Sequence, residues 1–122
     1  MKKILIVEDV DVNVDLLTQL LEEDYQLVVA GDGARGVTLA EQERPDLILM
    51  DMSLPVMDGW EATRRIKSAE ALQHIPVIGI SAHAMSGDAE RARQAGFDDY
   101  MTKPVDEAVL FEKLHKWLVV RG

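Results

Sequence analysis

Acidic, hydroxyl and lysine side chains follow short apolar runs at four places in this chain. Glu8 and Asp9 follow one run, and Asp51 follows another. Ser81 follows a further run, and Lys103 comes two residues after a weaker candidate run. If the runs are parallel strands of one sheet, their carboxyl ends share an edge, which is where such sheets bind ligands. The sequence therefore predicts that these side chains form one site.

The chemistry of this site follows from its charges. Three carboxylates at one sheet edge repel each other unless a positive charge lies among them. Oxygen ligands suit a hard cation such as Mg²⁺, which uses one or two carboxylates and keeps several waters. A carboxylate beside the metal can attack a phosphoryl donor, while Lys103 adds a fixed positive charge and Ser81 a hydroxyl donor. This set is chemically complete for forming an aspartyl phosphate on Asp51.

The apolar runs themselves indicate the fold. Most are unbroken rather than alternating, as expected of strands buried on both faces. Amphipathic stretches lie between them, with apolar residues at helical spacing such as Val14, Leu17 and Leu21. This order predicts an α/β fold, a doubly wound five-stranded parallel sheet with helices on both faces. The predicted strands are Ile4–Val7, Leu27–Ala30, Leu47–Met50 and Val77–Ile80, with Asp99–Met101 as a weaker fifth.

Two local signals mark helix boundaries. Asp58 followed by Glu61 has the spacing of a capping box, in which the first residue accepts a hydrogen bond from the backbone of the second. Gly96 is placed like the residue that ends a helix. We therefore expect one helix to begin after Asp58 and another to end before Gly96.

Composition excludes several classes of protein. The chain has 122 residues, 48% of them hydrophobic, which suits one globular domain. The absence of cysteine excludes disulfides, thiolate zinc sites and a cysteine nucleophile. A net charge of −9 argues against binding to nucleic acid. No apolar run approaches the roughly 18 residues of a membrane span and no secretory signal is apparent, so we expect a cytoplasmic protein without membrane contact.

The sequence resembles the receiver domain of two-component response regulators, and the resemblance covers the whole chain. Each matching segment is weakly specific alone, but together, in order and at the predicted strand ends, they are highly specific. The resemblance implies the flavodoxin-like receiver topology and is greatest to the stand-alone regulators of bacterial cell-division relays. The matching segments are Val7–Asp9, Asp51–Gly59, Ile80–His83 and Tyr100–Pro104.

The resemblance implies a function for the acidic residues. Asp51 would accept a phosphoryl group from a phosphohistidine on a sensor histidine kinase or a phosphotransfer protein. Asp9, Asp51 and the backbone carbonyl of Ser53 would ligate Mg²⁺ or Mn²⁺, and Glu8 would act through water. The protein would catalyse its own phosphorylation and slow dephosphorylation, which is not conventional enzyme turnover.

The resemblance also implies roles at the other strand ends. Lys103 would pair with Asp51 and then with the phosphoryl oxygens, and the bond between Lys103 and Pro104 would be cis. Ser81 would move to the phosphoryl group and Tyr100 would turn inward behind it. This switch would present the face built from the fourth helix, fifth strand and fifth helix to a downstream protein.

Some residues depart from the common family pattern or tune it. Glu8 stands where aspartate is commoner, and Ser81 where threonine is commoner. The resemblance assigns Ser53 and His83 to positions that set the lifetime of the phosphorylated state. We expect a single receiver domain over residues 1–122 without an output domain. A docking module that acts without phosphorylation, or a receiver excised from a hybrid histidine kinase, remains an alternative.

One further motif requires an explanation. Residues Gly31–Gly36 fit G-x-G-x-x-G, follow a predicted strand, and are followed by Asp51 roughly 20 residues later, as in dinucleotide-binding proteins. The motif lies in the second unit, whereas the fingerprint belongs to the first. Asp32 would also bring a negative charge to the pyrophosphate. We therefore interpret these glycines as residues that turn the chain.

Overall fold

Five parallel strands form one sheet in the computed structural model, which describes residues 1–82 and 88–120. The strands are β1 (Lys3–Val7), β2 (Gln26–Ala30), β3 (Leu47–Asp51), β4 (Val77–Ser81) and β5 (Asp99–Thr102). Their order in the sheet is β2-β1-β3-β4-β5, so the winding direction reverses between β1 and β3. A ligand crevice forms at such a reversal, outside the carboxyl ends of the strands.

Helices cover both faces of this sheet and confirm the predicted doubly wound fold. Side chains from the first and fifth helices join one buried apolar cluster, and those from the other three join the second. A π-helical turn, Lys116–Val120, follows the fifth helix. Among the described residues, no helix has the length and apolar character to cross a bilayer. The helices are α1 (Asp11–Leu21), α2 (Gly33–Glu43), α3 (Gly59–Ser68), α4 (Asp88–Ala95) and α5 (Glu107–His115).

Burial on both faces explains the unbroken apolar runs of β1, β3 and β4. The same expectation is wrong for β2, an edge strand that is only partly buried, with Val29 42% exposed. Successive residues of β1 point to opposite faces, so Ile4 and Ile6 join one cluster while Leu5 and Val7 join the other. Each strand is one residue longer than predicted. Asp51 and Ser81 are therefore the last residues of their strands, not the residues that follow them.

Both predicted helix boundaries are confirmed. Asp58 is the N-cap of α3, and its Oδ1 accepts a hydrogen bond of 2.9 Å from the Glu61 amide. Gly96 follows the last residue of α4 with a φ of +107°, a conformation that favours glycine. These two residues fix where the chain enters α3 and leaves α4.

Two glycines of the G-x-G-x-x-G motif serve close packing and not a turn. A Cβ atom on Gly33 would lie 1.8 Å from the carbonyl oxygen of Met57, and one on Gly36 would lie 3.0 Å from the Val7 side chain. A Cβ atom on Gly31 would meet nothing within 4 Å. The motif therefore lets α2 approach the loop after β3 and the sheet, which corrects our interpretation for Gly33 and Gly36.

We expect Gly33→Ala to lower the free energy of unfolding by about 2–3 kcal/mol, because the added methyl group must displace backbone and not a flexible side chain. Gly31→Ala, two residues earlier in the same motif, is the matched control, and we expect it to change stability by less than about 0.5 kcal/mol. Urea denaturation of both variants tests this difference. Equal stability of the two variants would contradict the packing role of Gly33.

Candidate functional site

Three carboxylates meet where the sheet reverses direction. Glu8 and Asp9 follow β1, Asp51 ends the neighbouring strand β3, and the two strands pair in parallel. One oxygen from each side chain lies within 4.8 Å of the other two. Glu8 and Asp51 are each 3% exposed, whereas Asp9 is exposed to solvent. The predicted acidic cluster is therefore present, with one member open to solvent.

Lys103 brings a positive charge to this cluster from the loop after β5, the edge strand of the sheet. Its Nζ lies 3.0 Å from Asp51 Oδ2 and 3.2 Å from Glu8 Oε1. Its backbone amide donates a 2.8 Å hydrogen bond to the Ser81 carbonyl oxygen, and its peptide bond to Pro104 is cis. Lys103 thus pairs with two carboxylates of a three-carboxylate cluster, so negative charge in the cluster remains uncompensated.

The surroundings of these groups shift two pKa values upward. Burial raises the pKa of Glu8, and the hydrogen bond and negative charge of Asp51 raise it further, against lowering by the Val10 amide and Lys103. Burial lowers the pKa of Lys103, but the hydrogen bonds and charges of Asp51 and Glu8 outweigh it and leave the pKa raised. Lys103 therefore stays protonated at neutral pH.

The donor set of the cluster fits a hard divalent cation. Its three side chains offer only carboxylate oxygens, the ligand type that Mg²⁺ and Mn²⁺ prefer. Two of the carboxylates are buried beside a single ammonium group, so a cation would balance charge that Lys103 leaves uncompensated. The acidic cluster can therefore hold a metal ion.

Contacts on both oxygens hold the Asp51 carboxylate in place. The Ser53 amide donates a 3.0 Å hydrogen bond to Oδ1, and Lys103 Nζ donates to Oδ2. The start of α3 packs directly on the Asp51 backbone, where a Cβ atom on Gly59 would lie 2.2 Å from the Asp51 carbonyl oxygen. This carboxylate is buried, oriented and next to a fixed positive charge.

The other residues predicted for the site lie on β4, on β5 and in the loop after β3. Ser81 ends β4, the strand that pairs with β3, and is half-buried. Ser53 is exposed in the loop after β3. Tyr100 lies on β5 and lines a different, solvent-open cavity with Phe97 and other residues between α4 and β5. His83 lies outside the described residues.

An apolar cavity adjoins the acidic cluster. Its polar lining residues are Glu8, Asn13 and Lys103. Near it, Val10, Val12 and Leu16 expose 45%, 71% and 40% of their surface. The remaining lining comes from α1, the end of β4 and the loop after β5, with Leu16, Leu17, Ile80, Pro104 and Val105.

Sequence reasoning missed a polar cluster on the other side of β5. Asp99 accepts hydrogen bonds of 2.8 Å from Lys113 Nζ and 2.9 Å from Trp117 Nε1. Burial raises the pKa of Asp99, but these two bonds, the Tyr100 amide and the Lys113 charge outweigh it, so its pKa lies below the usual value. The only sequence signal was the four-residue spacing of Lys113 and Trp117, which places both on one helix face.

We expect Asp99 to make stability depend on pH in the acidic range. Its lowered pKa means that its contribution is complete above the unfolded value of about 3.9 and is lost as pH falls through the folded value. Asp99→Asn removes this dependence, so urea midpoints of the two proteins should differ most near neutral pH and converge below pH 4. A difference that stays constant with pH would contradict this role.

The doubly wound sheet, the acidic cluster at its reversal and the lysine after β5 together define a receiver domain. The chain belongs to the response regulator receiver domain family of two-component signalling, whose match spans residues 4–115. It is 41% identical over 118 residues to the polar-differentiation response regulator DivK of Brucella anthropi. The aligned residues make up 96% of each chain. The predicted family is therefore confirmed.

Solved structures agree with this assignment. The receiver domain of the sensor histidine kinase PA1611 from Pseudomonas aeruginosa, which has a magnesium ion in its active-site cleft, is 41% identical, with a TM-score of 0.87 over 95% of this chain and 96% of that one. The receiver domain of Ssk1 from Saccharomyces cerevisiae, crystallised with the histidine phosphotransfer protein Ypd1, is 27% identical. Its TM-score is 0.91 over 98% of this chain and 90% of that one.

Proposed function

We propose that Asp51 accepts a phosphoryl group from a phosphohistidine on a sensor histidine kinase or a phosphotransfer protein, and that the phosphorylated state switches a protein-binding surface. The observation that carries this proposal is the Asp51 carboxylate itself. It is 3% exposed, lies 3.0 Å from Lys103 Nζ and shares the reversal of the sheet with two further carboxylates.

The proposed step forms one bond and breaks one. An Asp51 carboxylate oxygen attacks the phosphorus atom, the P–N bond to the donor imidazole breaks, and the electron pair of that bond stays on the imidazole nitrogen. Because its pKa is raised, Lys103 remains an ammonium group and stabilises the negative charge of the phosphoryl oxygens. The Ser53 amide, which donates to Asp51 Oδ1, keeps the carboxylate oriented.

We assign the metal site to the acidic cluster, with Asp9, Asp51 and the Ser53 carbonyl as ligands of Mg²⁺ or Mn²⁺ and Glu8 nearby. When bound, the cation supplies positive charge that neutralises phosphoryl oxygens. Asp9 is the exposed member of the cluster and keeps it open to solvent. The magnesium ion in the active-site cleft of the PA1611 receiver supports this assignment.

The surroundings of the site favour a protein as the phosphoryl donor. Val10, Val12 and Leu16 form exposed apolar surface next to the acidic cluster, and such surface marks contacts with proteins. The apolar cavity between α1 and the loop after β5 extends this surface. The similarity to the Ssk1 receiver, crystallised with a histidine phosphotransfer protein, supports a donor of that kind here.

We propose that the signal leaves through α4, β5 and α5 to a downstream protein. In this proposal Ser81 and Tyr100 change position on phosphorylation, and Ser53 and His83 set the lifetime of the aspartyl phosphate. Tyr100 lies on β5 and lines an open cavity beside α4, within the proposed face.

Incubation with phosphoramidate, a small donor with a P–N bond, tests the phosphoacceptor function. With Mg²⁺ present, intact-mass measurement should show one phosphoryl group added per chain, and EDTA should prevent the reaction. Asp9→Asn should raise the Mg²⁺ concentration needed for half-maximal phosphorylation. No adduct with phosphoramidate or with a phosphorylated phosphotransfer protein would favour the docking module that acts without phosphorylation.

A further inference from the structure

Gly79 leaves a gap in the middle of β4, on the face of the sheet that α2, α3 and α4 cover. A Cβ atom on Gly79 would lie 2.9 Å from the Phe97 ring and 3.1 Å from Met52 Sδ. Both distances are shorter than the ordinary contact of about 3.5–4.0 Å between carbon atoms, so both residues fit only because position 79 has no side chain. Phe97 and Met52 are 3% and 6% exposed. These two buried side chains therefore meet over Gly79 and fill the gap.

One side of this contact is joined directly to the proposed phosphoacceptor. Met52 follows Asp51 in the chain, and its side chain is the one that enters the gap. Asp51 Oδ1 accepts a hydrogen bond from the Ser53 amide, and Oδ2 accepts one from Lys103. A phosphoryl group on Asp51 changes what both oxygens contact, so the backbone on either side of Met52 must adjust. Met52 carries that adjustment into the gap.

The other side of the contact is joined to α4. Gly96 follows the last residue of α4, and the next amide, that of Phe97, donates a 3.0 Å hydrogen bond to the Ala92 carbonyl oxygen of this helix. The Phe97 ring also lies edge-on to Trp60 of α3, with 5.5 Å between the ring centroids. Phe97 therefore contacts the gap, the end of α4 and an indole on α3.

The residue after Phe97 is a fixed anchor. The Asp98 amide donates a 2.9 Å hydrogen bond to the Val77 carbonyl oxygen, and Asp98 Oδ2 accepts 2.8 Å hydrogen bonds from the Val77 amide and from Lys67 Nζ. Lys67 Nζ also donates a 2.7 Å hydrogen bond to the Ile75 carbonyl oxygen. Because Asp98 is held by β4 and α3 together, a displacement of the Phe97 ring passes toward α4.

We propose that Phe97 couples the phosphorylation site to α4 through the gap over Gly79. This coupling rests on the phosphorylation proposed for Asp51, and it adds a route to α4 that is separate from the hydroxyl switch. Closely packed interiors have few voids and transmit displacements, so Met52 and Phe97 do not move independently in the gap. Phosphorylation displaces Met52, the Phe97 ring follows, and α4 changes its position against α3.

Trp60 fluorescence tests this coupling, because the indole contacts Phe97 and lies 5.4 Å from the guanidinium carbon of Arg91 on α4. The chain has two tryptophans, so a Trp117→Phe background leaves Trp60 as the reporter. With phosphoramidate and Mg²⁺, the fluorescence should change in proportion to the adduct that intact mass measures. A full adduct without a fluorescence change would overturn the coupling alone, whereas the lack of any adduct would contradict the phosphoacceptor function as well.

A methionine pair distinguishes coupling from a purely structural role. Met52→Ala removes the thioether from the gap and keeps the contact of Phe97 with Trp60. We expect it to reduce the fluorescence change per adduct by about twofold or more. Met57→Ala is the matched control, since Met57 lies in the same loop and packs against the same apolar cluster but is not among the nearest contacts of Gly79. It should keep the full change.

A phenylalanine pair gives an independent check. Phe111 packs against the apolar cluster on the opposite face of the sheet, so Phe111→Leu should keep the fluorescence change per adduct. Phe97→Leu should reduce this change by about twofold or more. Hydrogen exchange of the α4 peptide, measured with and without phosphoramidate, gives a readout that does not depend on the surroundings of Trp60. Equal fluorescence and exchange responses in all four variants would overturn the coupling.

Discussion

Asp51→Asn is expected to abolish the phosphoryl adduct, the largest effect of any substitution in this chain. The amide oxygen of asparagine is neutral and a poor nucleophile, whereas the carboxylate of Asp51 is charged, buried and oriented by Ser53 and Lys103. Intact-mass measurement with phosphoramidate and Mg²⁺ should show a rate at least about a thousandfold below that of the unsubstituted chain.

Asp58→Asn is the matched control for this substitution. Asp58 lies in the loop between Asp51 and α3, and asparagine caps a helix as well as aspartate does. We expect Asp58→Asn to be phosphorylated at the normal rate and Asp51→Asn to remain folded, because removing one of three clustered carboxylates relieves repulsion. A full adduct on Asp51→Asn would place the acceptor on a different residue.

Lys103→Met is expected to slow phosphorylation by about 100-fold or more, the typical result of removing one fixed group that stabilises transition-state charge. The ammonium group lies 3.0 Å from Asp51 Oδ2, and methionine fills similar volume without charge or donors. Because Asp51 itself remains, the adduct should still form slowly. The initial rate, measured by intact mass at saturating donor, gives the effect.

Two further substitutions show whether the position of the charge matters. Lys113 is 22% exposed, against 23% for Lys103, and it also pairs with a carboxylate, but on the far side of β5. We expect Lys113→Met to leave the phosphorylation rate within about threefold of normal. Lys103→Arg should bind Mg²⁺ but transmit the signal poorly, because the guanidinium fork cannot occupy the place of a compact ammonium. Equal rates for both methionine variants would contradict the role of Lys103.

Most of the fold could be predicted because runs of apolar residues in the local sequence indicate buried strands. Leu47–Met50 and the runs in β1 and β4 are covered on both faces, as a parallel sheet between two helix layers requires. Caps such as Asp58 and stops such as Gly96 depend on neighbouring residues alone, so these boundaries were also correct. The strand ends were one residue short because pairing, not apolarity, extends a strand to Asp51 and Ser81.

The glycine motif and the Asp99 cluster depend on contacts that local sequence patterns did not predict. Gly33 is required by the Met57 carbonyl oxygen, an atom 24 positions along the chain that no turn pattern reveals. Asp99 binds Lys113 and Trp117 across the boundary between a strand and a helix. Each contact depends on how separate elements pack, so each becomes visible only when the helices are placed on the sheet.

The sequence by itself determined the strand–helix order and which acidic, hydroxyl and lysine side chains stand at strand ends, because periodicity and turn signals are local properties. The tertiary structure decided that Lys103 Nζ lies between Asp51 and Glu8, that burial and Asp51 raise the pKa of Glu8, and that Met52 and Phe97 meet over Gly79. These features depend on distances between atoms far apart in the chain, which strand order, strand pairing and helix packing set together.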